Sequence, residues 1–162
     1  VQELCSKYDR SFEETKAWYN GYELSVVEAQ KLKVYAMYNP KSVVDAMLSG
    51  IFDNYWNQTE TYEALKAYIC MNFDGLKDSV IKILAGDRVQ INTGTFSNDM
   101  TSFQSRDDIL TLLVHLGYLS YHWPDKIVAI PNKEVSQEYV NAISTMDWNE
   151  IIHSVEASRK LL

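Results

Sequence analysis

At 162 residues and 46% hydrophobic content, the chain is one ordinary domain or two very small ones with enough apolar material for a core. Its net charge of -7, from 22 acidic against 15 basic residues, argues against a general phosphate-backbone binder, because that affinity comes from clustered Lys and Arg. The basic residues are instead spread thinly, with Lys31 and Lys33, and Arg159-Lys160 near the end, as the tightest local groupings. No apolar run approaches the roughly 18 residues of a membrane span, and no secretory signal pattern opens the sequence. Cys5 and Cys70 lack CxxC spacing and read as buried free thiols of a reducing cytoplasm. The sequence starts at Val1 and still reads as helix at its last residues, so a piece of a longer cytoplasmic protein is expected.

In chain order, a short helix breaks near Asp9, and Ser11 with Glu14 forms a capping-box pattern for a second helix running to about Tyr19. Asn20-Gly21, in the centre of the stretch WYNGY, tolerates positive φ and stops that helix. Without convergent polar groups beside them, its aromatics read as packing and not as a ligand platform, with Trp18 and Tyr22 facing the next helix start. Tyr22–Leu24 and Lys33–Tyr38 are plausible short strands around a variable loop. Asn39 and Pro40, within YNPKS, suit the cap and first turn of a helix whose face carries Val43, Val44, Met47 and Leu48, ended by Gly50. An aromatic segment, Ile51 to Trp56, precedes a helix capped by Thr59 or Thr61 and bearing Leu65, Tyr68, Ile69 and Phe73. A further helix spans about Gly75 to Ala85.

Beyond Gly86 the pattern changes. Arg88 to Asn92 alternates as a strand does, and Asn92 to Ser105 is polar and turn-rich. Arg106 to Leu116 is apolar almost all round and predicts a buried helix, stopped by Gly117. Tyr118–Trp123 and Lys126–Ile130 predict a hairpin about Pro124-Asp125, and Asn132 caps a helix bearing Val135, Tyr139, Ala142 and Ile143. Asp147 and Glu150 open a closing amphipathic segment with Trp148, Ile151, Ile152, Val155 and Leu162. The expected class is α+β and mainly helical, in three parts: a helical region at 1–85, a winged-helix-like segment at 86–145, and a connector helix at 146–162.

Catalytic patterns are missing from this string. None of the six glycines is followed by lysine, so there is no phosphate-cradling P-loop. The metal-dependent PD-(D/E)XK pattern needs an Asp and a D/E-x-K on adjoining strands, and Glu14-Thr15-Lys16 falls in a capped helix. His115, His122 and His153 lie in different elements without metal-ligand spacing, and Asp107-Asp108 suits the positive end of a helix dipole. As a DNA reader the segment is poor: its helix offers Thr111 and His115 as later polar positions, with Lys126 and Lys133 near the wing for a phosphate contact or two.

WYNGY, YNPKSVV, NYW followed by Thr59, and LLVHLGYLSY followed by IPNKEV form an ordered series. That series resembles the C-terminal part of bacterial AAA-ATPase-like proteins that carry a PD-(D/E)XK nuclease-superfamily domain after the ATPase region, and the match runs from about Trp18 to the end. The resemblance implies a middle region between two catalytic modules, holding no catalytic, cofactor or metal residue of its own; ATP and a divalent metal would belong to the flanking modules. Its signature positions here, all structural by implication, are Trp18, Tyr19, Gly21, Tyr22, Tyr38, Asn39, Pro40, Tyr55, Trp56, Gly117, Tyr118, Pro131 and Asn132. The expected role is to couple or position the flanking modules, with a nucleic-acid-binding winged helix or a protein-interaction adaptor as the rival readings.

Overall fold

A computed structural model of the chain describes residues 1–56, 61–71, 73–97 and 102–144, with the backbone alone for 61–64. Among these, seven α-helices and two small antiparallel sheets form an α+β fold that is about half helical. The order is α1 (Gln2–Lys7), α2 (Phe12–Tyr19), β1 (Tyr22–Glu28), β2 (Lys31–Met37), α3 (Pro40–Ser49), α4 (Thr61–Ile69), α5 (Leu76–Leu84), β3 (Val89–Gln90), α6 (Arg106–His115), β4 (Ser120–His122), β5 (Ile127–Ala129) and α7 (Lys133–Ser144). Thr59, His153 and the closing segment from residue 145 lie outside the described residues.

The helix starts follow their capping chemistry, with one exchange. At α2 the Ser11 hydroxyl accepts from the Glu14 amide at 3.2 Å, but Glu14 makes no return bond among the described residues, so only half of the expected box forms. The complete box stands at α6, between Ser105 and Asp108. Burial by itself would raise the Asp108 carboxyl, but bonds from the Gln104 and Ser105 amides and the Thr95 hydroxyl outweigh it and hold the group below its ordinary value. The pair Asp107-Asp108 is thus loop and helix-start architecture.

Two apolar clusters organise the packing. The smaller joins α1, α2 and α3 through Cys5, Tyr19, Val43, Ala46 and Met47. The larger collects Leu65 and Ile69 of α4, the inner face of α5, Ile109, Leu110 and Leu113 of α6, Val128 of β5 and the inner face of α7. Helices α4 and α5, on the N-terminal side of the boundary expected at residue 85, therefore share their core with the segment that follows it. Ile109, Leu110, Leu112 and Leu113 of α6 are all buried, as its all-round apolar pattern predicts, and each such side chain contributes about 2 kcal/mol of transfer free energy.

Several expectations need correction. The stretch read as a loop between two short strands is a regular hairpin, in which β1 and β2 pair from Tyr22–Met37 to Glu28–Lys31 around Ala29 and Gln30. Both turn residues have positive φ, as a two-residue type I′ turn requires, although neither is the glycine or asparagine that would have marked it. In α3 the buried face is Ser42, Val43, Ala46 and Met47, whereas Val44 and Leu48 are exposed, because α1 and α2 approach from one side only. Phe73 packs against the larger cluster from beyond the end of α4. Cys5 is buried and its thiol donates to the Thr15 hydroxyl at 3.3 Å, but Cys70, just past α4, is exposed. The second sheet has the order β3-β5-β4, and its central strand places Val128 between Val89 and Tyr121.

Candidate functional site: a buried carboxylate junction

Two of the signature positions, Asn39 and Tyr55, meet at a residue that the pattern reading left out. Glu134, in the first turn of α7, is fully buried. Its Oε1 accepts from the Ser42 hydroxyl at 2.7 Å and from the Tyr55 amide at 2.9 Å, while Oε2 receives a longer contact from Asn39 Nδ2 at 3.5 Å. One turn on, the equally buried Glu138 accepts from Asn54 Nδ2. The same Asn54 turns its Oδ1 to the Trp56 amide at 2.8 Å. Two carboxylates on α7 therefore bind the start of α3 and the Asn54–Trp56 segment to the last described helix.

Burial pushes both carboxyls above the ordinary value of 4.5, and the bonds from Ser42, Tyr55 and Asn39 to Glu134, and from Asn54 to Glu138, offset only part of that. A buried carboxylate is tolerated where donors replace its lost hydration, and Glu134 is provided with them from two separate stretches of chain.

The aromatic signatures build the walls. Tyr19 is fully buried, and its hydroxyl donates to the Asp53 carbonyl at 3.0 Å and accepts from the Asp53 amide at 3.2 Å. Burial raises its ionisation well beyond the ordinary phenol range. The Asn39 amide donates to the Tyr19 carbonyl at 3.0 Å, so the end of WYNGY's helix is tied directly to the start of YNPKS. Tyr22 does not face that helix start, as expected from sequence; its hydroxyl reaches across to the Gly117 carbonyl at 2.7 Å. Trp56 meets Tyr118 edge to face at 5.8 Å, and Tyr118 meets Tyr139 of α7 in the same way at 6.3 Å, each such pair adding about 1 kcal/mol.

Two glycines are there for close approach. A β-carbon on Gly21 would lie 1.8 Å from the Pro131 carbonyl oxygen, and one on Gly117 would lie 2.9 Å from the Trp56 ring; both residues also have positive φ. Asn132 caps α7 through a 3.0 Å bond from the Val135 amide to its Oδ1. Trp18 and Tyr38 pack on the edge of the smaller cluster, and Pro40 stands exposed in the first turn of α3, so these three stay outside the junction.

Glu134 and Glu138 were missed because a carboxylate beside an apolar stripe reads as the border of the polar face. Their spacing did carry a signal: residues 134, 135, 138, 139 and 142 share one face of α7, so both glutamates lie within the stripe of Val135, Tyr139 and Ala142.

A second polar row joins the two sheets. His122 Nδ1 lies 2.8 Å from Glu23 Oε2, and its Nε2 lies 3.3 Å from the Ser120 hydroxyl. Serine, histidine and carboxylate occur here in hydrolytic order, but Ser120 is buried and donates its one proton to the Ala129 carbonyl at 3.1 Å. The row fastens β1 to β4 and presents no activated nucleophile. His115 is exposed and stacks on Phe96, and Thr111, expected as a polar reading position, is buried with its hydroxyl on the Asp107 carbonyl. Among the described residues no three His, Cys, Asp or Glu side chains are grouped to hold a metal, and no helix is long and apolar enough to cross a membrane. Scans of protein-family models, of curated proteins and of solved structures return no match to this chain.

Proposed function

We propose that this chain is a non-catalytic coupling module of a larger ATPase-like protein of the nuclease superfamily, holding the flanking modules in fixed relation. The observation that carries this reading is the Glu134 junction, which ties α7 to the start of α3 and to the Asn54–Trp56 segment. A rigid connection of this kind passes displacement at one surface to another, because a buried and hydrogen-bonded carboxylate has one good arrangement and no graded alternatives. The order β3, α6, β4, β5 with a tip at Trp123–Lys126 supports a winged-helix-like reading of the second half. With Thr111 buried, its use would be in contact with a neighbouring module and not in reading base edges. ATP and a divalent metal belong, in this reading, to the flanking cytoplasmic modules.

Two measurements test it. The purified 162-residue chain is expected neither to hydrolyse ATP nor to cleave DNA with added magnesium or manganese, and either activity refutes the proposal. Hydrogen exchange is expected to show the α3 start and α7 opening as one cooperative unit, separated by Glu134→Ala. Salt-dependent binding to short duplexes that is lost on charge reversal of Lys126 and Lys133 would favour the nucleic-acid reading instead.

A further inference from the structure

The β1–β2 hairpin carries its apolar residues outward on both faces. Leu24, Tyr35 and Met37 are exposed on one face, and Val27, Leu32 and Val34 on the other, with Val34 50% exposed and every residue of β2 exposed. Two strands whose faces are covered only in part, where β1 meets β4, are marginal in water, and six large exposed apolar side chains on them are more than scattered surface residues explain.

The type I′ turn fixes which backbone groups of β2 are free. Glu28 and Lys31 flank the turn and form a hydrogen-bonded pair, so the groups of Lys31, Lys33, Tyr35 and Met37 point to β1. Those of Leu32, Val34 and Ala36 point to the open edge. An antiparallel partner strand must bond to these three residues.

We infer that β2 pairs antiparallel with β2 of a second copy of this chain, about a two-fold axis through Val34. Parity, charge and length together select that register: an axis at Leu32 would set Lys31 against Lys33, and one at Ala36 would pair only Tyr35 to Met37 within β2. Centred on Val34, the axis passes through an outward-facing residue, and Val34–Val34, Leu32–Ala36 and Ala36–Leu32 all become hydrogen-bonded pairs. Lys33 then faces Tyr35 and Lys31 faces Met37, so no like charges oppose each other. Centred on Lys33 instead, the pairing would set lysine against lysine at positions whose backbone groups already serve β1. Charge also permits a second copy: Glu23 and Glu28 balance Lys31 and Lys33, and the Lys33 ammonium is already bonded to Glu28, so the hairpins meet without net charge although the whole chain carries -7. The product is a continuous four-stranded sheet with an apolar patch on each face.

Sedimentation of the 162-residue chain across an about hundredfold dilution series is expected to show a monomer–dimer equilibrium. Val34→Pro removes an outward amide without taking a bond from β1, and Val34→Lys sets two ammonium groups against each other; each is expected to abolish the dimer with the far-UV spectrum unchanged. In a Cys70→Ser background, Val34→Cys is expected to oxidise to a covalent dimer, because a hydrogen-bonded antiparallel pair spaces its Cα atoms by about 5.5 Å. Lys31→Cys, about 20 Å from its counterpart in this register, is expected not to cross-link. A wild-type chain that stays monomeric throughout overturns the proposal and leaves the edge to a different partner. A dimer that persists in folded Val34→Pro and Val34→Lys also overturns it. Should both variants unfold, the relative yields of the two cysteine variants decide.

Discussion

Beneath α7, two glutamates are fully buried and held by an asparagine, a serine and a main-chain amide; on the β1–β2 hairpin, valines, leucines and a methionine face solvent. Residue type by residue type, the two regions are reversed from the usual assignment of polar outside and apolar inside. The difference teaches that a side chain's place follows from what its neighbours supply. Glu134 is provided with donors on both oxygens, whereas among the described residues the hairpin leans on β4 through β1 and every residue of β2 is exposed.

The comparison can be broken most severely at Gly21. Alanine there sets a β-carbon against the Pro131 carbonyl at a positive φ, so Gly21→Ala is expected to cost about 4 kcal/mol in urea unfolding, with the junction forced apart. Next comes Glu134→Ala, which strands the Ser42 hydroxyl and the Tyr55 amide in the interior and is expected to cost about 3 kcal/mol by the same measurement. Glu134→Gln keeps one acceptor and is expected to cost about 1 kcal/mol.

That milder variant sharpens the electrostatics. Glu134 and Glu138 have folded values raised above 4.5, so each stabilises the fold when protonated, and that contribution is lost as pH rises through the folded value. The melting temperature is therefore expected to rise as pH is lowered from neutral toward about 4.5, and Glu134→Gln should flatten that rise. Asp108 acts in the opposite sense. Its folded value lies below 3.8, so its contribution is present above 3.8 and disappears as pH falls through the lowered value. The smallest effect belongs to the hairpin: Val27→Thr is expected to stay within about 0.5 kcal/mol of wild type, because Val27 is 63% exposed. A loss near 2 kcal/mol there would mean that the face is covered in solution.

Elements governed by near neighbours were legible in the sequence. Ser11, Asn39 and Asn132 cap the helices they were expected to cap, and α6 is buried as its all-round pattern required. The hairpin was half legible, since Ala29-Gln30 carries none of the usual turn residues and the positive φ values emerge only from the pairing of the flanking strands. Thirteen signature positions could be named, but not the carboxylate that Asn39 and Tyr55 meet.

Among the described residues, what the sequence determined by itself is the helices, most of their starts and stops, and the apolar faces of α5, α6 and α7, because these depend on residues within one or two turns of each other. Only the tertiary structure decided that Glu134 and Glu138 lie inside and that the hairpin's apolar residues lie outside. The donors that make a buried carboxylate tolerable come from Ser42, 92 positions away, and from Tyr55, 79 positions away. A group's desolvation cost is met or left unmet by whatever the folded chain places beside it; the stripe on α7 can mark the position, but no local pattern encodes the donors.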